Sequence, residues 1–253
     1  MKIHVLGAGG GDRAGHRLPA FLVDDHLLVD AGGAAAALTL AAQDRVRYAL
    51  VSHAHLDHSV GLAFIADNRA LSETTGPLIV LGLDAVLADL RRHCFNDALW
   101  PDFSRLPTPE SPALRFQALA PEVESRAGEC RVTCIPVHHT VPASGFLLRA
   151  REATLAYTGD TGPTLAFWEA LRGIPTLKAV FAECSFPNRL EELALATGHL
   201  TPGLLRKELD RLPTSVPVHV FHLKPAFYEE TVDEIARLDG PIGVLKDGDT
   251  LTL

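Results

Sequence analysis

The chain has 253 residues, 47% of them apolar, and its 23 Lys and Arg against 31 Asp and Glu leave a net charge of −8. That length and apolar share suffice for one sizeable core, read here as a single domain over residues 1–253. The acidic balance, with no basic stripe, argues against a phosphate-rich polymer such as RNA as partner and for a small anionic molecule. Cys94, Cys130, Cys134 and Cys184 form no disulfide-like framework, and Cys130 and Cys134 read as buried free thiols. The first residues hold no apolar signal core, and no apolar run approaches the ~20 residues that cross a bilayer, so a cytoplasmic protein is expected.

The first strand-like run, Ile3 to Leu6, leads into Gly7-Ala8-Gly9-Gly10-Gly11-Asp12. A dinucleotide fingerprint would need a third glycine where Asp12 stands and a helix after it, so this segment reads as a turn whose glycines let the backbone pass close to a site. Strands follow at Ala20 to Val23 and Leu27 to Val29, the latter ending at Asp30, then a helix at Ala34 to Ala42 and a strand at Val46 to Val51. Directly after it comes Ser52-His53-Ala54-His55-Leu56-Asp57-His58, with three imidazoles and a carboxylate in six positions. His53 and His55, two apart at a strand end, can point the same way, while Asp57 and His58 diverge on the next turn, so one segment can feed two neighbouring metals. Imidazole and carboxylate without thiolate suit zinc, and also manganese or iron, in a site that keeps positions open for water.

Helical patterns occupy Val60 to Asp67 and Asp84 to Arg92 around a strand at Leu78 to Leu81, and the proline-rich stretch from Pro101 to Pro121 reads as an irregular loop over one end of the domain, with strand character at Leu114 to Leu119. Arg131 to Val137 precedes His138-His139; the hairpin-like pair Gly145 to Ala150 and Thr154 to Tyr157 precedes Asp160 in Thr-Gly-Asp-Thr-Gly; Ala179 to Ala182 precedes Glu183 and Ser185; and Val216 to Phe221 precedes His222. Helices are expected at Pro163 to Leu171, Leu190 to Ala196, Pro202 to Arg211, where Thr201 supplies the cap, and Tyr228 to Leu238, before a last strand at Gly243 to Leu245. An apolar strand first and a ligand second is the recurring pattern. About a dozen strands with interspersed helices imply two mixed sheets covered by helices.

These motifs together resemble the metallo-β-lactamase superfamily: the H-x-H-x-D-H run is its hallmark, and Asp30, His139, Asp160 and His222 match its remaining motifs in order. The resemblance implies an α/β (α+β) fold, a four-layer αβ/βα sandwich with a centre of two divalent metal ions. Carried over residue by residue, His53, His55 and His139 would hold one metal, Asp57, His58 and His222 the other, and Asp160 would bridge. His139 is preferred to His138 because the family places a Pro three and a Gly six positions after the ligand, here Pro142 and Gly145. Asp30 would touch metal or orient a ligand histidine.

A closer resemblance, to class II cyclic-nucleotide phosphodiesterases, is carried by Ser-His-Ala-His-Leu-Asp-His58, Phe95-Asn96-Asp97-Ala98-Leu99-Trp100-Pro101, Glu183-Cys184-Ser185-Phe186, Gly198-His199-Leu200-Thr201 and His222-Leu223-Lys224-Pro225. It departs from that class at Ser59 and around Asp67-Asn68. It implies hydrolysis of 3′,5′-cyclic nucleotides to 5′-monophosphates by a water activated between the metals, with Asp57, Asp160 and His199 nearest the chemistry and His199 as general acid. Glu183 and Ser185 are candidates to orient His199 or the phosphate, and Phe95, Asn96 and Trp100 to stack on and read the base. The alternatives are a tRNA 3′-processing endonuclease-like enzyme, a thioester or lactone hydrolase, and a metal-binding sensor on a retired hydrolase scaffold. A homodimer is compatible with all of them.

Overall fold

The computed structural model describes residues 1–72, 76–212 and 216–253. Two seven-stranded sheets form its centre. The first contains β1 (Lys2–Gly7), β2 (Ala20–Val23), β3 (Leu27–Ala31), β4 (Tyr48–Leu50), β5 (Leu78–Gly82) and β6 (Leu114–Ala118) in chain order, with β14 (Thr250–Thr252) beside β1. The second runs from β7 (Glu124–Ala127) through β8 (Cys130–Pro136), β9 (Ser144–Ala150), β10 (Ala153–Tyr157), β11 (Leu177–Glu183) and β12 (Val218–Phe221) to β13 (Ile242–Val244). Pairing is antiparallel from β14 to β3 and parallel from β3 to β6, and the second sheet is likewise antiparallel from β7 to β10 and parallel from β10 to β13.

Helices α1 (Ala34–Ala37), α2 (Leu40–Arg45), α3 (Leu56–Ala70) and α4 (Asp84–His93) pack on the outer face of the first sheet, and α5 (Leu165–Ala170), α6 (Glu191–Thr197), α7 (Pro202–Leu209) and α8 (Tyr228–Ile235) accompany the second. The result is the expected four-layer αβ/βα sandwich, with one apolar cluster between the sheets and one under each helical layer. Phe21 sits in the middle layer with its ring 5.2 to 5.5 Å from those of Tyr157, Phe181 and Phe221, so it joins the two sheets directly. No helix among the described residues is long and apolar enough to cross a membrane.

Several elements differ in extent from the sequence reading. The helix expected over Ala34 to Ala42 is two, because Thr39 is extended and caps the second by accepting from the Ala42 amide. The helix expected from Val60 begins at Leu56, which places Asp57 and His58 in its first turn, where Asp57 complements the positive end of the helix. This early start is possible because Gly61 lets the helix lie against the end of β3: a Cβ there would come 1.9 Å from the Ala31 carbonyl oxygen. Strands β7 and β14 carry polar sequences, Glu-Ser-Arg-Ala and Thr-Leu-Thr, and were invisible to a hydrophobic pattern because each lies at a sheet edge and is held by a neighbour's backbone. All four thiols are free, and burial pushes Cys130 up to about 12 and Cys134 up to about 11.

Phe21→Ala is expected to lower unfolding stability by about 3–5 kcal/mol, since the cavity would open between two sheets that cannot collapse toward each other; urea denaturation followed by far-UV circular dichroism measures it.

Candidate metal centre

The chemistry-bearing residues leave the sheets at one end of the sandwich. Ser52 to His58 follow β4, His139 follows β8, Asp160 follows β10, Glu183 ends β11 and His222 follows β12. Short links close the seam between the sheets there: His53 bridges to Ala143, the Ser144 amide donates to the Ser52 carbonyl at 2.9 Å, and the His222 amide donates to the Ala8 carbonyl at 2.7 Å. The glycine-rich turn after β1 therefore runs directly over His222, as its sequence implied. A Cβ at Gly10 would lie 2.1 Å from the His222 carbonyl oxygen. His222 itself is held at φ +70° and Asp30 at +52°, left-handed conformations that side chains adopt only when their surroundings fix them.

Four overlapping donor groups result, and two of them gather the ligands expected from the sequence; the other two join His199 to His139 and Asp160 and to Glu183 and His222. His53, His55 and His139 converge, with His53 Nε2 3.1 Å and His139 Nε2 3.3 Å from His55 Nδ1. Asp57, His58, Asp160 and His222 form the second: His58 Nε2 is 3.1 Å from Asp160 Oδ1, His222 Nε2 is 3.2 Å from Asp160 Oδ2, and His222 Nε2 is 3.3 Å from Asp57 Oδ2. Asp160 Oδ2 also lies 3.8 Å from His53 Nε2, which puts this one carboxylate against both groups.

The outward nitrogens are fixed in turn. His53 Nδ1 donates to Ser52 Oγ at 3.0 Å, His139 Nδ1 to the Gly198 carbonyl at 2.8 Å, His222 Nδ1 to Ser185 Oγ at 2.9 Å and His58 Nδ1 to Asp30 Oδ2 at 2.7 Å. His53, His139 and His222 thereby turn their other nitrogen toward the cluster as a lone-pair donor, and His58 turns its own toward Asp160, the arrangement that prepares histidines for a metal. A direct test of fit comes from the buried atoms. Among the described residues His58 Nε2 and Asp160 Oδ1 are buried and 3.1 Å apart, yet neither makes a well-aligned hydrogen bond to any group. Buried polar atoms without partners are rare, and a divalent ion satisfies both. The site can bind a divalent metal.

The electrostatics agree. Burial lowers the pKa of His53, His55 and His139 and takes His222 down to about 4, so these four imidazoles are neutral at neutral pH. Burial also opposes charge on His58 and Asp160, but their attraction outweighs it: Asp160 and Asp30 raise His58 well above the ordinary value, and His222 and His58 hold Asp160 well below it. Asp57 is lowered too, against its own burial, by the His222 and His58 rings beside it.

His199 lies beside the second group. It is buried, its ring stacks on that of His222 with centroids 5.4 Å apart, and its Nδ1 donates to Glu183 Oε1 at 3.0 Å. Burial disfavours its protonation, yet Glu183, with Asp160, raises its pKa overall. Glu183 is itself held by the amides of Thr161 and Leu200 and by Ser185 Oγ, and burial keeps its own pKa raised.

Most residues singled out from the sequence meet in this centre: His53, His55, Asp57, His58, His139, Asp160, Glu183, Ser185, His199 and His222 surround one cluster, and Asp30 supports it without facing it. His138 is exposed and belongs to none of the donor groups. The aromatic segment does not converge. Phe95 is buried in the core under the first helical layer, packed on Phe116, so it has no face for a base. Asn96 spends its amide on the turn, accepting from Ala98 and Leu99 and donating to the Arg92 carbonyl. Trp100 lies on α3, its Nε1 donating to the Ala63 carbonyl at 3.1 Å. The F-N-D-x-x-W pattern is thus a loop-forming device. Sequence reasoning missed Tyr157, whose hydroxyl donates to Asp30 Oδ2 at 2.5 Å. It reads as an ordinary apolar strand residue, and its only signal is a position three residues before Asp160.

Comparison with known proteins places this geometry. A family model described as class-II cAMP phosphodiesterases matches residues 32–223. A probable 3′,5′-cyclic-nucleotide phosphodiesterase of Yersinia pestis is 32% identical over 71% of this chain and 57% of its own length, and a 3′,5′-cyclic-nucleotide phosphodiesterase of Aliivibrio fischeri is 30% identical over 82% and 74%. The match thus spans somewhat over half of the Yersinia relative. Unliganded yeast PDE1 superposes with a TM-score of 0.85 at 21% identity over 100% of this chain and 99% of that one, which establishes the shared fold. With the match enclosing every donor from His53 to His222, the chain belongs to the class-II cAMP phosphodiesterase family.

Proposed function

We propose that the protein is a metal-dependent phosphodiesterase that hydrolyses 3′,5′-cyclic nucleotides to 5′-monophosphates, with two divalent ions, zinc before manganese or iron, as its cofactors. The observation that carries this reading is the sharing of Asp160 by two donor groups inside the segment matched by the family. His53, His55 and His139 would hold one ion, Asp57, His58 and His222 the other, and Asp160 would serve both. When bound, such ions supply charge neutralisation for the phosphodiester and a water acidic enough to attack at neutral pH.

The chain's own groups do the rest. Asp57 and Asp160, both ionised, present carboxylate oxygens at the heart of the site. His199, with Nδ1 committed to Glu183, holds its transferable proton on Nε2 and donates it to the 3′ alkoxide as the ring opens. Glu183 fixes the tautomer and stabilises the imidazolium, and Ser185 links that pair to His222. The tRNA-processing reading is not favoured: of the cations between Pro101 and Glu129, Arg105 is already paired with both Asp97 and Asp102.

Metal-loaded protein is expected to turn over cyclic AMP or cyclic GMP with kcat/KM above ~10⁴ M⁻¹s⁻¹, and His55→Ala to lose at least about 100-fold of this activity. Plasma emission analysis should find two equivalents of metal in the wild type and fewer in that variant. Cleavage of bis(p-nitrophenyl) phosphate alone would sink the cyclic-nucleotide assignment.

A second expectation concerns pH. His199 has a raised pKa in the fold, so its acid form predominates below that value and is lost as pH rises through it. Glu183→Gln removes the raising charge. The alkaline limb of the kcat/KM profile should move to lower pH in this variant, and an unmoved limb would remove His199 from the acid role.

A further inference from the structure

A groove of about 440 Å³ opens beside the metal centre, and the metal-facing His55 forms part of its wall. Leu90, Leu99 and Val141 give it apolar lining. On one side α4 contributes Asp89 and His93, one helical turn apart and therefore on one face. Neither side chain has a hydrogen bond or ion pair among the described residues. The volume suits a nucleotide, and the arrangement is amphipathic in the way a purine is: apolar surface for the ring faces and polar atoms at one edge. Phe95, Asn96 and Trp100 are meanwhile committed to the core, to their own turn and to α3.

We propose, building on the cyclic-nucleotide reading, that this groove is the base site and that Asp89 sets a preference for guanine over adenine. A carboxylate only accepts hydrogen bonds. Guanine presents N1–H and N2–H side by side, which one carboxylate takes together, and His93 can donate to the neighbouring O6. Adenine presents one donor, N6–H, and an acceptor, N1, whose lone pair would face the carboxylate and leave it partly unpaired. An anionic side chain at the base end also steers the phosphate toward the opposite end, where the histidines lie. Asp89 is a specificity residue and takes no part in bond breaking.

The test compares Asp89→Ala and the isosteric Asp89→Asn with wild type, using kcat/KM for cyclic GMP and cyclic AMP and calorimetric binding of 5′-GMP and 5′-AMP, with melting temperature as a folding control. Wild type should favour the guanine ligand by about tenfold or more. Asp89→Ala should bring the ratio to within about threefold, chiefly through KM. Asp89→Asn should shift preference to adenine, because an amide accepts from N6–H while donating to N1. Substitutions that leave the ratio unchanged in folded protein would overturn the proposal. If neither cyclic nucleotide is turned over but 5′-GMP binding follows the same pattern, the base site stands and the cyclic substrate falls; absence of nucleotide binding overturns both.

Discussion

Everything at the active end of this molecule depends on one buried carboxylate. Asp30 accepts from the Ser52 amide and hydroxyl at 2.8 Å each, from His58 Nδ1 at 2.7 Å and from the Tyr157 hydroxyl at 2.5 Å, and it is fully shielded from solvent. Ser52 and His58 belong to the first sheet's side and Tyr157 to the second, so a single charge locks the two halves in register. A buried anion with four donors is stable only as a complete set, since removing one partner leaves charge without compensation. The left-handed backbone at Asp30 is the local strain that this network holds in place.

From that anchor the order reaches outward through hydrogen bonds of defined direction. Asp30 fixes His58 and Ser52, Ser52 fixes His53, and the Glu183–Ser185 pair fixes His222 and His199. The histidines nearest the cluster are therefore aimed before any ion arrives. His58 is the exception in charge, since Asp160 and Asp30 on either side of it favour its protonated form. An ion entering there must displace that proton, so metal affinity falls as the solution becomes more acidic.

Much of this was legible in the sequence because the clustered residues follow apolar strands, and an apolar strand has a strong signature. His53, His139, Asp160 and His222 each stand just past such a run, and the fold brings them together by aligning strand ends. Legibility failed where a residue's role depends on a distant partner. Tyr157 looks like core until Asp30 is placed opposite it, and Phe95 and Trp100 look like a binding surface until α3 and Phe116 cover them. Edge strands failed for a related reason: β7 and β14 are defined by the neighbour that pairs with them, and nothing in Glu-Ser-Arg-Ala or Thr-Leu-Thr announces that neighbour.

The pairing of β14 with β1 sets an order of events in folding. Lys2, Ile3 and His4 receive their partners from Thr250 to Thr252, and the Leu253 amide donates to the Met1 carbonyl. β1 is thus completed by a strand from the far end of the described fold, with Lys2 opposite Thr252. Until β14 docks, the first sheet has an unpaired flank at β1, and contacts across such a span form slowly because the intervening loop must first be closed. The protein is therefore most open to edge-to-edge association during folding, when six strands of the first sheet are paired and the seventh is not.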